Sequence, residues 1–243
     1  MLTDPNFLHR GQRAYLGRGL TSRRRTEPAL SVEQLPQLDA VVLSHLHGDH
    51  WDRVARHGLR KTLPILTTRH AARRLRRQGF REAVPMTTWQ AQQVTNGSTT
   101  LRVTSMPGRH TNGLLRTVLP PVMGSLLEFA TSPGTVALRI YITGDTLVFP
   151  GLQEIPARHP DIDLALLHLG GTRILGKLVT MDATQGVELV ELVRPRSAVP
   201  IHYDDYGVFK SPLADFQQLA ASRPLSTSLS YLRRGENLPL RVG

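Results

Sequence analysis

The sequence predicts an α/β fold in which short apolar strands alternate with helices, and three observations carry that expectation. Apolar runs recur along the chain, at 39–44, 64–67, 101–104, 140–143 and 162–167, each short enough for a strand and bounded by polar or turn residues. Turn signals join some of them directly: Asn96-Gly97 lies between Gln90-Ala91-Gln92-Gln93-Val94 and Thr100-Leu101-Arg102-Val103, the pattern of a hairpin. Gly 20 and Pro 17 punctuate the chain as expected of a loop-rich α/β protein, and there is no heptad run or internal repeat. With 243 residues, 40% of them hydrophobic, one sizeable core is affordable, so a single domain over 1–243 is expected.

Taken in order, residues 1–38 are polar and hard to pattern, and are expected to form loop and short helix around the basic run Arg23-Arg24-Arg25. A strand at 39–44 follows. Asp52 is placed to cap a short helix reaching His57, and a buried strand at 64–67 leads into a helix over 70–78 that Gly79 ends. That helix carries Arg73, Arg74, Arg76 and Arg77 around most of its circumference, which suits a solvated surface better than a phosphate platform. Ser132-Pro133-Gly134 joins strands near 124–130 and 135–143. Asp182 starts a helix to Arg194, with Gln185 at the capping-box position and Pro195 just past its end.

The densest chemistry follows the first strand. Three of the ten histidines fall in Ser44-His45-Leu46-His47-Gly48-Asp49-His50. Side chains alternate along an extended chain, so His45 and His47 can face one side while Asp49 and His50 reach further on. Imidazole and carboxylate together suit zinc, manganese or iron, and the absence of cysteine leaves nitrogen and oxygen donors only.

The His-x-His-x-Asp-His pattern after a hydrophobic strand resembles the metallo-β-lactamase superfamily, and the later ligands this resemblance implies are matched in order by His110 after Met106-Pro107-Gly108-Arg109, Asp145 after Ile142-Thr143-Gly144 and His202 after Val199-Pro200-Ile201, each where an apolar run stops. The resemblance implies a four-layer αββα sandwich of two mixed β-sheets flanked by helices. It assigns His45, His47 and His110 to one metal, Asp49, His50 and His202 to a second, and Asp145 to both. Two divalent ions are implied, zinc by preference with manganese or iron as alternatives, activating a bridging hydroxide that Asp49 also orients. Leu2-Thr3-Asp4-Pro5-Asn6-Phe7 and Pro200-Ile201-His202-Tyr203 look closest to the branch of ascorbate-phosphate lactonases and N-acyl-phosphatidylethanolamine phospholipases D. Members of that branch generally carry a β-hairpin before the Asp-Pro element, whereas this chain begins almost at it, so the expected fold lacks that hairpin and Met1 reads as an internal start.

Around the ligands, His168 in Leu167-His168-Leu169 is a candidate catalytic residue, a proton donor or phosphate contact, with a packed structural histidine as the alternative. Tyr203, Asp204, Asp205 and Tyr206 are either turn residues or carboxylates that fix ligand orientation. The apolar segment 113–123 is a candidate acyl pocket or lid, with burial against the core as the simpler alternative. A net charge of +11, almost all from arginine, favours anionic partners. The expected activity is therefore metal-dependent hydrolysis of a phosphodiester, a phosphorylated small molecule or a lipid. A nuclease and a non-catalytic metal-binding module are the rivals; at 5% aromatic residues the chain is poorly equipped to stack bases, so nucleic acid is not favoured. No signal peptide or spanning segment is evident, which makes a cytoplasmic location the expectation.

Overall fold

The computed structural model describes residues 1–111, 119–132 and 135–240. The first half contributes β1 (Leu2–Thr3), β2 (Arg13–Gly17), β3 (Leu20–Arg23), β4 (Val41–Leu43), α1 (Arg53–Gly58), β5 (Ile65–Thr68), α2 (Arg69–Arg77) and β6 (Ala83–Met86). The second contributes β7 (Ala91–Asn96), β8 (Thr99–Met106), β9 (Gly124–Ser132), β10 (Thr135–Ile142), α3 (Glu154–Arg158), β11 (Leu164–His168), β12 (Arg173–Ile174), β13 (Lys177–Leu178), α4 (Ala183–Val193), β14 (Ser197–Ile201), α5 (Leu213–Ala221) and β15 (Ser228–Leu229).

Two sheets organise eleven of these strands, and β2–β3 and β12–β13 form separate two-stranded ribbons. A four-stranded sheet runs β1-β4-β5-β6 and a seven-stranded one runs β15-β14-β11-β10-β9-β8-β7. The smaller sheet is parallel throughout, and only the larger mixes directions, antiparallel from β7 to β10 and parallel from β10 to β15. Three apolar clusters mark the three interfaces of the sandwich. Val41, Leu43 and Ile65 pack under Ala55, Ala72 and Leu75 of α1 and α2. Val42 and Leu66 of the small sheet meet Val103, Leu127 and Ile142 of the large one. The outer face of the large sheet, through Tyr141, Ala165 and Leu167, is covered by Val187 and Val190 of α4 and Phe216 of α5. Side chains of neighbouring strand residues point to opposite faces, which is why Val41 and Val42 serve different clusters.

Capping follows the sequence closely. Asp52 Oδ1 accepts from the Ala55 amide, and Asp182 Oδ1 from that of Gln185. The capping box at α4 is only half formed, because Gln185 Oε1 turns away to accept from Val148 N at 3.1 Å. The first 38 residues depart further from expectation. Besides β1 they hold the hairpin β2–β3, whose turn is made by Gly17, Arg18 and Gly19, all at positive φ. Only Ala14 and Ser22 of this hairpin are buried, so it lacks the apolar alternation that marks a strand in sequence. Among the described residues no helix is long and apolar enough to cross a membrane.

Candidate metal centre

The site is built at the rim where β4, β8, β10, β11 and β14 stop. The loop after β4 is held down by the hairpin: the Gly48 amide donates to Tyr15 O at 2.8 Å, and a Cβ at Gly48 would lie 2.6 Å from Tyr15 N, so only glycine fits this approach. Gly144, at φ +59°, makes the second tight turn, with Met123 O 2.8 Å from where a Cβ would stand. It delivers Asp145 into the centre.

All seven predicted ligands converge. Donor atoms of His45, His47 and His110 lie within 4.8 Å of one another, and so do those of Asp49, His50, Asp145 and His202. Within the first group His45 Nε2 and His47 Nδ1 are 2.9 Å apart. In the second, His202 Nε2 stands 3.7 Å from Asp49 Oδ2. Asp145 spans the two: Oδ1 is 3.3 Å from His50 Nε2 and 3.5 Å from His202 Nδ1, while Oδ2 is 4.0 Å from His45 Nε2. His202 sits at φ 60°, a left-handed conformation costing a non-glycine residue about 1–3 kcal/mol, of the kind that persists at functional sites.

The hydrogen bonds around the cluster orient ring nitrogens inward. His110 Nδ1 lies 2.7 Å from Val179 O, an acceptor only, so Nδ1 carries the proton and Nε2 is bare. Ser44 Oγ is 3.0 Å from His45 Nδ1, and Thr180 Oγ1 donates to Asp145 Oδ2 at 3.2 Å. By contrast, His47 Nε2, Asp49 Oδ1, His50 Nε2, His110 Nε2, Asp145 Oδ1 and both ring nitrogens of His202 are buried with no hydrogen-bond partner among the described residues. Each such group costs about 1–3 kcal/mol if nothing satisfies it. Lone pairs and carboxylate oxygens gathered this way fit divalent cations, and the donor set fits zinc, manganese or iron.

Protonation of the first group agrees with that fit, whereas His50 of the second group is shifted the other way. Burial, reinforced by the neighbouring imidazoles, holds His45 well below its ordinary range and His47 down to about 4. Burial also depresses His110. For His50, burial is outweighed by the carboxylates of Asp145 and Asp4, which hold it well above the ordinary value. Asp145 likewise stays far below the usual carboxylate range, burial being overcome by His202 and His50.

His168 lies beside the second group and lines a cavity of about 290 Å³ together with Asp4, Asn6, Arg24, Asp49 and His202. Thr143 Oγ1 donates to Gly144 O at 2.9 Å and accepts from the His168 amide at 3.0 Å, with His168 Nδ1 3.2 Å away. Burial and then the His202 and His50 rings push His168 down to about 3, which leaves it neutral and ill suited to donate a proton as an imidazolium. A second cavity, of about 250 Å³ around Arg173, Asp182 and Lys210, contains none of the predicted site residues.

The loop after β14 behaves as turn structure and salt bridges: Asp204 and Asp205 pair with Arg234, and Asp205 also faces Arg24, so neither carboxylate orients a histidine. Most of the apolar segment 113–123 lies outside the described residues; at its end Val122 and Met123 are buried, and the Met123 amide donates to Ser44 O. Sequence reasoning gave no role to Asp4. Its Oδ1 accepts from Ser44 N at 2.7 Å, and its Oδ2 lies 3.0 Å from His50 Nδ1 and 3.7 Å from His168 Nε2.

Seven candidate ligands at the rim of a sandwich of two sheets are the arrangement that the metallo-β-lactamase resemblance implies. The family model described as Beta-lactamase superfamily domain matches residues 1–203, and the chain belongs to that superfamily. A UPF0173 metal-dependent hydrolase of Archaeoglobus fulgidus is 27% identical over 204 residues, covering 82% of this chain and 80% of the relative. Another, of Deinococcus radiodurans, is 29% identical over 202 residues, with 82% and 79% covered. Among solved structures, isothiocyanate hydrolase from Delia radicum gut bacteria superposes with a TM-score of 0.79 at 20% identity, covering 98% of this chain and 91% of that one. Igni18, a metallo hydrolase from Ignicoccus hospitalis, gives 0.66 at 23% identity over 84% and 80%. Both structures share the fold.

Proposed function

We propose that this chain, a metal-dependent hydrolase of the superfamily, works with two divalent ions on a small anionic substrate, a phosphodiester or phosphorylated small molecule. The observation that carries the binuclear part is Asp145, whose two oxygens face the two ligand groups. His45, His47 and His110 would hold one ion, Asp49, His50 and His202 the other, and Asp145 both. Such a pair supplies water acidified enough to attack near neutral pH and positive charge against the leaving oxygen.

The chain's own groups do the rest. Asp49 Oδ1, buried and unbonded, accepts the proton of the attacking water and fixes its direction. His168, neutral and tethered by Thr143, presents Nε2 to the cavity and accepts a hydrogen bond from substrate. The net charge of +11 favours an anionic group. At about 290 Å³ the cavity suits a small molecule better than a long acyl chain, which moves the proposal away from lipids.

The test is an activity panel of zinc- and manganese-loaded protein against small phosphodiesters, phosphorylated lactones, thioesters, isothiocyanates and a long-chain phospholipid. Turnover of small anionic substrates above the others is the expected result. Preference for the isothiocyanate or the phospholipid would overturn the substrate class while leaving the metal centre standing.

A further inference from the structure

We infer that the β2–β3 and β12–β13 hairpins dock the protein onto an anionic membrane surface through their tips; the inference concerns where the protein sits and is independent of the substrate proposed above. Each hairpin carries apolar side chains turned to solvent. Leu175, at the tip of β12–β13, is 89% exposed, and Leu20 and Tyr15 of β2–β3 are 48% and 58% exposed. Single exposed apolar residues are ordinary on protein surfaces, so exposure alone decides nothing. The backbone at Leu175 adds the decisive observation. It sits at φ 49° and Gly176 at φ 76°, in a two-residue turn between the paired Ile174 and Lys177. Such a turn favours Asn or Asp before the glycine, and a bulky side chain is unfavourable in the left-handed region. Leucine at this position is therefore disfavoured twice, in conformation and in exposure, and a surface that takes up the side chain offsets the second.

Charge says which surface. Residues 13–23 and 173–178 contain five cations and no acid. Arg173 is paired with Asp182 of the neighbouring segment at 3.4 Å, while Arg18, Arg23 and Lys177 are exposed. Apolar tips set among cations suit anionic headgroups over an acyl interior, the leucines entering the boundary while the cations stay with the phosphates. Tyr15, an apolar ring whose hydroxyl accepts from the Gly19 amide at 3.3 Å, is the amphipathic kind of residue that such boundaries favour. A second copy of the chain seated on this face by two-fold symmetry would bring cation against cation, and a nucleic-acid backbone offers nothing to the leucines. Both hairpins also adjoin the first ligand group. A Cβ at Gly17 would lie 4.0 Å from His47 Nε2, and Val179, the residue after β13, accepts from His110 Nδ1 at 2.7 Å. Docking through the tips thus brings the rim of the metal centre to the membrane.

Cosedimentation of the full chain with vesicles of phosphatidylcholine alone, and of phosphatidylcholine mixed with phosphatidylglycerol, tests this. Wild type should bind the mixed vesicles and not the neutral ones, less tightly as salt is added. Replacing Arg18, Arg23 and Lys177 with Ala should weaken binding about 100-fold, at about fivefold per charge. The double variant Leu20→Ser, Leu175→Asn should weaken it at least about tenfold with Tm unchanged, since Asn suits the turn better than Leu. Absence of binding to the mixed vesicles overturns the inference. So does binding that the cation variant weakens and the leucine variant does not, which is adsorption of a chain of net charge +11 without docking by the tips. A single-stranded RNA oligonucleotide held by the same cations while vesicles stay unbound would assign the face to nucleic acid instead. A wild-type dimer in light scattering that Leu175→Asn splits would assign it to a second copy, and either result contradicts the membrane reading.

Discussion

Two buried polar regions lie side by side around the same cavity and are finished in opposite ways. In the knot formed by Asn6, Arg24, Thr26, Asp205 and Tyr206, protein atoms answer protein atoms. Arg24 donates from Nε to Thr26 O at 3.3 Å and from Nη1 to Asn6 Oδ1 and Tyr206 OH, while Asp205 accepts from Thr26 Oγ1 at 2.9 Å and pairs with Arg234 at 2.7 Å. In the histidine cluster, seven buried nitrogen and oxygen atoms have no hydrogen-bond partner among the described residues. The first arrangement is what a fold needs to bury a charge. The second leaves buried polar atoms that the described residues do not satisfy.

The contrast is broken most severely at Asp145, whose two oxygens face the two candidate ligand groups. Asp145→Ala should abolish the metal pairing and lower turnover by more than about 100-fold, beyond the cost usual for losing a residue that only supports a ligand; steady-state kinetics and elemental analysis of the same sample check it. Next in size is the response to metal itself. Zinc at about 1,000 times its dissociation constant should stabilise the fold by about 4 kcal/mol for one site, read as a rise in Tm that a chelator reverses. Tyr206→Phe, in the closed knot, should cost about 1–2 kcal/mol of stability in denaturant titration and leave metal content unchanged. If it emptied the metal centre, the two regions would not be separable.

Acid should affect the open region in a defined direction. His47 and His168 are held down to about 4 and about 3, from an ordinary value of 6.5, by burial. A histidine depressed in the fold contributes stability above its unfolded value and loses it as pH falls through the folded value. Metal-free protein should therefore weaken progressively from about pH 6.5 toward pH 4; His50, shifted upward, acts in the opposite sense but is one group against His45, His47, His110 and His168. The smallest effect is expected on α2. Arg73, Arg74 and Arg77 are exposed, and Arg76 is engaged with Ala83 O at 2.8 Å, so replacing the first three should leave the salt dependence of kcat/KM unchanged. A flatter salt dependence would give that helix a part in substrate capture.

The same contrast explains what the sequence revealed. The candidate ligands sit at strand ends, where the spacing of His45 to His50 stood out by itself and the family resemblance it carries led on to His110, Asp145 and His202. The closed knot joins Asn6 to Tyr206 across 200 positions, and no local pattern marks such a contact. Asp4 was hidden for the same reason: its Asp-Pro setting was visible, but its partner His50 lies 46 residues on. The hairpin β2–β3 escaped because its faces are largely solvated, and what fixes it is the close approach of Gly48 to Tyr15, a tertiary contact. The order of layers was likewise beyond periodicity, since Val41 and Val42 look alike in sequence while packing to opposite sides of one sheet.

Anomalous diffraction from zinc-loaded crystals tests the central claim most directly. Two zinc peaks are predicted, one among His45, His47 and His110 and one among Asp49, His50 and His202, with Asp145 between them. A single peak, or both groups empty at saturating zinc, would contradict it.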